Sequence, residues 1–490
     1  MRIIPFQQPL RPAIPTVRGN IEYRRLKEQL ERMDEILLVS GIESSFIERS
    51  VDRYVESGKQ VGAKVNNYQI KRHEATSVLA LRSLILKSML GETCRGMSLQ
   101  LAHSPLFQRF CGIGRIDETR VPSKSTIQGF IDIVSEAELS EIVIKLLSAT
   151  QSDTLELEEI TDLESIWIDT TCVKTHIHYP VDWVLLRDAT RTLIKAVKVI
   201  RKHGLKVRMS NPSNFMSKMN SLCMKMTQCR RKKDSRRVQK ETLRLMKKLV
   251  TTIRKHAKRH YDLLDKEWER TDLSRKQAEN ILSRITNVLD QLPEAQRQAH
   301  ERIIGNRQIN NEDKILSLYE KATNVIVRGK ADAAVEFGNT LYLAEQADGL
   351  IMDWKFFEDS APADSKLMPE SVLRIQSSLS LKVRAVGADR GFDSETNQNF
   401  LNQHTIFNGI TPKNPHLLRE KMDNSDFRAS QKRRASTEAR IGIFKNCFLG
   451  DVLKVKGFKN RSLAIAWGVL AHNLWVLARL PTKEQLKLAA

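Results

Sequence analysis

The seventy residues from Arg191 to His260 hold 23 lysines and arginines against only Asp234 and Glu241. Such a stretch folds only if its charges stay in water while something apolar is buried, and the apolar residues are spaced to allow that. Leu243, Met246, Val250, Ile253, Ala257, His260 and Leu264 recur at alternating intervals of three and four, the seam of a helix packed against another helix. His260 lies within that seam and reads as a packed side chain rather than a ligand. A second stripe, Ile281, Ile285, Val288 and Leu292, follows a candidate cap at Thr271 and Asp272, so an antiparallel helical hairpin is predicted. One arm would be strongly basic and the other neutral, because residues 261–330 carry 12 basic and 12 acidic side chains. Arg244, Lys247, Lys248, Lys255, Lys258 and Arg259 would form the solvent face.

The whole chain of 490 residues has a net charge of +22 and a pI near 9.7. Nearly all of the excess lies in that one stretch, which points to a polyanionic partner, first of all nucleic acid. Lysines and arginines on the solvent face would line a phosphate backbone without reading bases. A solvated coiled coil is the plain alternative. No membrane segment is expected: the longest apolar run, Val78 to Leu90, is interrupted by Arg82 and Lys87 and is too short to span a bilayer. Nothing at the N-terminus has the form of a signal peptide. Six scattered cysteines without a CxxC pair suggest reduced thiols in a cytoplasmic protein, with neither a disulfide framework nor a structural zinc.

Residues 1–20 contain four of the fourteen prolines and read as an extended arm. Helical patterns dominate residues 21–155, with a long helix over Arg72 to Leu90 and a shorter pair over Met97 to Phe110 broken at Pro105. Val121 to Val134 opens on Pro122 and a Ser/Lys cluster, a helix start compatible with helix-turn-helix DNA reading and equally with ordinary helix packing. Lys124 is its candidate DNA contact. From residue 160 the pattern changes. SIWIDTTCVKTHIHY reads as a buried strand interrupted by Asp169, and helical sequence then runs from Val184 to about Ala322. Strands are predicted at AAVEFGNTLYLAEQA, GLIMDWKFF, LKVRAVGA and Thr405 to Ile410, with helices at PESVLRIQSSLS, Ser394 to Gln403 and the C-terminal region. The order is that of an α/β ribonuclease H-like core, a mixed sheet flanked by helices over 160–490, preceded by an all-α region. A long helical insertion, 184–325, would follow its first strand. It lets Asp169 and Asp389, 220 residues apart, become neighbours.

Asp389 sits where the apolar strand gives way to a glycine turn, and both acids occupy strand positions where a carboxylate would face a cleft. Taken singly, an aspartate in either setting is more often a turn former or a helix cap. A third acid, Glu438, lies in ASQKRRASTEARIGIFKNCF, where Gln431, Arg434, Glu438, Ile441 and Lys445 fall at spacings of three and four and share a helix face. Arg434 and Lys445 would hold phosphates beside that acid; the alternative is a solvated helix with an ordinary Arg-to-Glu pair. Converging acids suit phosphodiester chemistry, because two Mg²⁺ about 4 Å apart neutralise the attacking and leaving oxygens.

The N-terminal helical region, IDTT, ADRGFDS, STEARIGIFK and AIAWGVLAHNLWVLAR together resemble the DDE transposases of bacterial insertion sequences, over roughly residues 70–180 and 330–480. Arg434, Glu438 and Lys445 match the Y-x2-R-x3-E-x6-K signature of one large subgroup, with Gln431 in the place of its tyrosine. The resemblance implies that Asp169, Asp389 and Glu438 are catalytic metal ligands for two Mg²⁺ (or Mn²⁺). Asp393 would be a structural carboxylate. It further implies terminal inverted repeats and target DNA as partners, a dimer or larger assembly on paired ends, and a nucleoid-associated location. Two rivals remain: a nuclease that cleaves without joining, and a catalytically silent DNA-binding descendant.

Overall fold

The computed structural model describes residues 14, 16–60, 62, 65–114, 119–229, 233–327, 334–450 and 452–483. The expected arm at 1–20 lies mostly outside them.

Seven helices open the chain: α1 (Ile21–Val39), α2 (Ile42–Gln60), α3 (Asn67–Met89), α4 (Cys94–His103), α5 (Pro105–Phe110), α6 (Lys124–Phe130) and α7 (Glu136–Ala149). Their boundaries follow local chemistry. Asn66 with Gln69, and Ser135 with Glu138, form reciprocal capping boxes, and Ser104 caps α5 with Pro105 in its first turn, where a missing N–H is harmless. Within this bundle Arg82 is fully buried and forks onto Glu43, at 2.6 and 3.1 Å, and onto the Phe110 carbonyl at 2.8 Å.

Strand β1 (Ser165–Thr175) follows, then four long helices, α8 (Asp182–Lys202), α9 (Pro212–Gln228), α10 (Ser235–Glu267) and α11 (Arg275–Ala299). The predicted seam is buried along its whole length in α10, as is the stripe in α11. The hairpin, however, is half of a larger unit: α8 packs against α9, α10 and α11, and the four share an apolar core of their own. Hairpin periodicity alone could not reveal this, since a stripe shows which face of a helix is buried and not how many helices cover it. The cap also differs. Ser274 opens α11 with Gln277, whereas Asp272 pairs with His203 at the end of α8. Helix ends at about Ile304, and residues 305–323 are irregular apart from a short turn at Asn311–Asp313.

The remaining strands are β2 (Asn324–Val327), β3 (Val335–Glu345), β4 (Ile351–Phe356), β5 (Ala385–Ala388), β6 (Phe407–Ile410) and β7 (Val452–Leu453). Helices α12 (Met368–Leu379), α13 (Glu395–Gln403), α14 (Pro415–Met422), α15 (Ser425–Ile443) and α16 (Phe458–Leu477) intervene. All seven strands join one mixed sheet. Central β1 pairs antiparallel with β3 and parallel with β5, β6 continues parallel beyond β5, and β4 and β2 occupy successive stretches of the outer edge of β3. Strand β2 is not predicted from the sequence because its four residues follow directly on the region that reads as helical. Its signal was the β-branched run Val325, Ile326 and Val327.

One apolar cluster runs from α1 through α7, the sheet and α16. The N-terminal helices therefore share the core of the sheet, while the four-helix insertion is buried separately. Among the described residues no helix is long and apolar enough to cross a membrane.

Candidate active site

The pairing of β1 with β5 decides the geometry. Their register runs Ser165 with Ala385 to Ile168 with Ala388, so Asp169 and Asp389 are the next residues on two adjacent parallel strands. Neighbouring strands lie about 4.8 Å apart. The two aspartates, remote in sequence, are side by side at the carboxyl edge of β5. Each is partly exposed. The Asp389 carboxylate accepts the Gly391 N–H at 2.8 Å and caps the short turn Arg390–Phe392; that of Asp169 accepts the Thr170 N–H at 2.7 Å.

A further carboxylate went unnoticed in the sequence. Asp364, in the loop before α12, accepts from the Thr170 hydroxyl at 3.0 Å. A Cβ added to Gly391 would meet Asp389 Oδ1 at 3.0 Å and Asp364 Oδ2 at 3.1 Å, so Asp364 borders the same edge. Nothing in the spacing of EDSAPADS marks it; only the fold of the β4–α12 loop brings it there.

Helix α15 lies across β1, β5 and β6, and small residues let it approach. A Cβ on Gly387 would stand 2.4 Å from the Trp167 ring, and one on Gly409 2.5 Å from Ser430 Oγ. Isolated glycines in strands mark such close approach. The Trp167 indole donates to the Ser430 carbonyl at 3.2 Å, and the Arg433 guanidinium lies 4.8 Å over its ring. Arg433 also donates to Glu345 at 2.9 Å and to the carbonyls of Gln346 and Ala347 at 2.7 Å each. Burial raises the Glu345 carboxyl above its ordinary range against the opposing pull of Arg433. Gly387→Ala is therefore expected to force Trp167 from beneath α15 and to destabilise the protein by about 1–3 kcal/mol. Denaturant unfolding would measure it, and an unchanged midpoint would show that α15 is not seated through this contact.

The helix face predicted from sequence is present but serves several purposes. Gln431 donates to the Gly409 carbonyl at 2.8 Å and accepts from Thr411 at 2.9 Å and from Arg434 at 3.2 Å. It fastens α15 to β6 and steadies Arg434. Lys445, just past α15 in a π-helical turn (Phe444–Leu449), donates to the Thr171 hydroxyl at 3.1 Å. Thr171 is two residues beyond Asp169 and on the same side of β1. Glu438 falls between these two anchors, on the exposed side of α15. Asp393 is spent structurally: it accepts from Gln398 at 2.7 Å and from the Lys413 N–H at 2.8 Å, joining the loops after β5 and β6.

Among the described residues no three His, Cys, Asp or Glu side chains converge closely enough to hold a metal ion. Asp169 and Asp389 are brought together, whereas Glu438 does not close the group. The donor chemistry still fits Mg²⁺, which takes one or two carboxylates and fills its octahedron with water and phosphate oxygen.

Of the candidate DNA contacts, Arg434 and Lys445 are at this site and the others lie elsewhere. Lys124 is exposed at the start of α6, and Arg244, Lys248 and Lys255 are exposed along α10. Lys247 leans onto the insertion, its Nζ 3.3 Å from His300 Nδ1. Comparisons with protein families, curated proteins and solved structures found no match to this chain.

Proposed function

We propose that the chain is a DDE transposase that cuts the ends of a mobile element and joins the freed 3′-hydroxyl to target DNA. The observation that carries this reading is the β1–β5 register, which sets Asp169 and Asp389 side by side beneath a helix bearing Glu438, with Lys445 in the turn just past it. The strand order supports a ribonuclease H-like core: numbering only β1, β3, β4, β5 and β6, the sheet runs 3-2-1-4-5.

Asp169 and Asp389 would hold the two divalent cations, and Glu438 would turn inward to complete the second site when DNA is bound. Bound there, Mg²⁺ or Mn²⁺ supplies charge neutralisation on the attacking and leaving oxygens of an in-line displacement. The chain's own residues do the rest. Lys445, held by Thr171, and Arg434, steadied by Gln431, set positive charge on either side of Glu438 where scissile-strand phosphates would lie. Both steps pass through similar displacements, so one site serves cleavage and joining. Two ends must be handled together, which calls for a dimer or larger assembly. A nucleoid location would follow.

The test is incubation with a labelled terminal repeat and Mg²⁺, scoring cleaved ends and strand-transfer products. Cleavage without joining would favour a nuclease. The exposed position of Glu438 favours one further rival, a DNA-binding descendant without chemistry, and absence of any cleavage would support it.

The basic face of α10 is assigned to phosphates. Replacing Arg244, Lys247, Lys248 and Lys255 with Gln should weaken duplex binding whatever the sequence and reduce the salt slope by roughly three, about one per exposed contact, with little from Lys247. An unaltered slope would return these residues to a merely solvated face.

A further inference from the structure

Where the four-helix insertion meets the sheet, it leaves a groove of about 850 Å³. One wall is α8 and α11, and the other is formed by residues 318–322 and 456–458. Its charge is one-sided. Lys195, Arg284, Lys321 and Lys456 line it, all four exposed, and none of them carries an ion pair among the described residues. Of the two lining acids, Glu320 is committed to Arg461 at 3.1 Å and to the Gly457 N–H. Among the described lining residues, only Glu358 is left to oppose the four cations.

Positive charge also continues along α8 beyond the groove. Arg191, which pairs with Asp188 at 3.0 Å, and Lys195, Lys198 and Lys202 are exposed on α8 at spacings of four, three and four, a stripe whose members are about 4.5–6 Å apart along the axis. A DNA strand advances about 3.4 Å per phosphate along its axis, so such a stripe can follow one strand. Solvation alone would not gather unpaired cations from four separate chain segments around one concavity.

We propose that this groove is a DNA track at the root of the insertion, holding the phosphates of one strand of duplex DNA apart from the face of α10. The proposal rests on the transposase reading only in taking DNA as the polyanion. It also gives the insertion a geometric role. The groove is joined to the sheet through Arg461, which bonds both Glu320 and Thr175, and Thr175 is six residues along β1 from Asp169. At about 3.3 Å per residue that is about 20 Å, or roughly six base-pair steps. Duplex gripped here would be fixed at a set distance from the aspartates.

The experiment is a titration of the full-length protein with a labelled 30-base-pair duplex at several salt concentrations. It compares the unaltered chain with Lys195→Gln/Arg284→Gln/Lys321→Gln/Lys456→Gln. The variant should bind roughly 10³-fold more weakly at 0.1 M salt, with a log–log slope smaller by about 3–4. Should it melt early, the four single substitutions replace it, each expected to lower the slope by about one. An unchanged slope overturns the proposal, as does polyglutamate displacing the duplex equally well at equal charge. Cleavage by the unaltered chain together with an unchanged slope would sink the groove and spare the transposase. A lost slope in a protein that never cleaves would do the reverse.

Discussion

Asp389→Asn is expected to melt like the unaltered protein and to lose Mg²⁺-dependent DNA cleavage by at least about 10³-fold. Stability and activity depend on different properties of this side chain. The Asp389 Oδ1 accepts the Gly391 N–H at 2.8 Å, and an asparagine carbonyl can accept the same bond, so the turn after β5 keeps its cap. The amide carries no charge to hold a hard cation. Losing several kcal/mol of transition-state charge stabilisation, at about 1.4 kcal/mol per tenfold, gives the loss in rate. Asp389→Ala should lose the same activity and about 1 kcal/mol of stability with its cap. Asp169→Asn should behave like Asp389→Asn. Glu438→Gln tests the weakest of the three assignments, because this side chain starts exposed. Cleavage at the unaltered rate by any of these variants would remove that residue from the site. If Glu438 alone proved dispensable, Asp364 would be the next carboxylate to replace.

These residues were not equally legible in the sequence. Local chemistry announced the seam of α10, the stripe of α11, the strand around Asp169 and the glycine turn after β5, because each depends on periodicity or on a residue with few conformations. Gly387 and Gly409 carried a readable sign of close approach, although not what approaches. Asp364 carried none, since its place depends on how a loop packs against Thr170. The union of the N-terminal helices with the sheet core was equally hidden: helix periodicity says which face is buried, not which partner covers it. Likewise Gln431, in the position where the resembled family has tyrosine, gains its meaning only from Gly409 and Thr411 across the sheet.

The root of the insertion yields the second large effect. Arg461 is 1 % exposed and Glu320 5 %, and around this pair Arg461 also donates to Thr175 at 2.9 Å and to Asn339 at 3.0 Å. Thr175 ends the strand that leads into the insertion, and Glu320 lies on the segment that returns from it, so one guanidinium ties both crossings to α16 and β3. Burial lowers the pKa of Arg461 against the pull of Glu320, a sign that desolvation is a real cost here. Breaking such a pair from one side strands the other charge. Arg461→Met is therefore expected to destabilise the sheet domain by about 3–5 kcal/mol. Adding Glu320→Gln, which removes the stranded charge but can still accept from Gly457, should recover part of that loss. The insertion has its own core, and among the described residues none of its helices supplies a partner to Arg461. Its helices should stay folded while their attachment loosens. In denaturant unfolding followed by hydrogen exchange, protection should fall in β1, β3 and α16 and persist in α10 and α11. DNA should still bind, with cleavage reduced beyond what the remaining folded fraction explains, because the arm would no longer be held at a fixed distance from Asp169 and Asp389. Uniform loss of protection across both units would mean that the insertion does not stand on a core of its own, and this account of its root would fail.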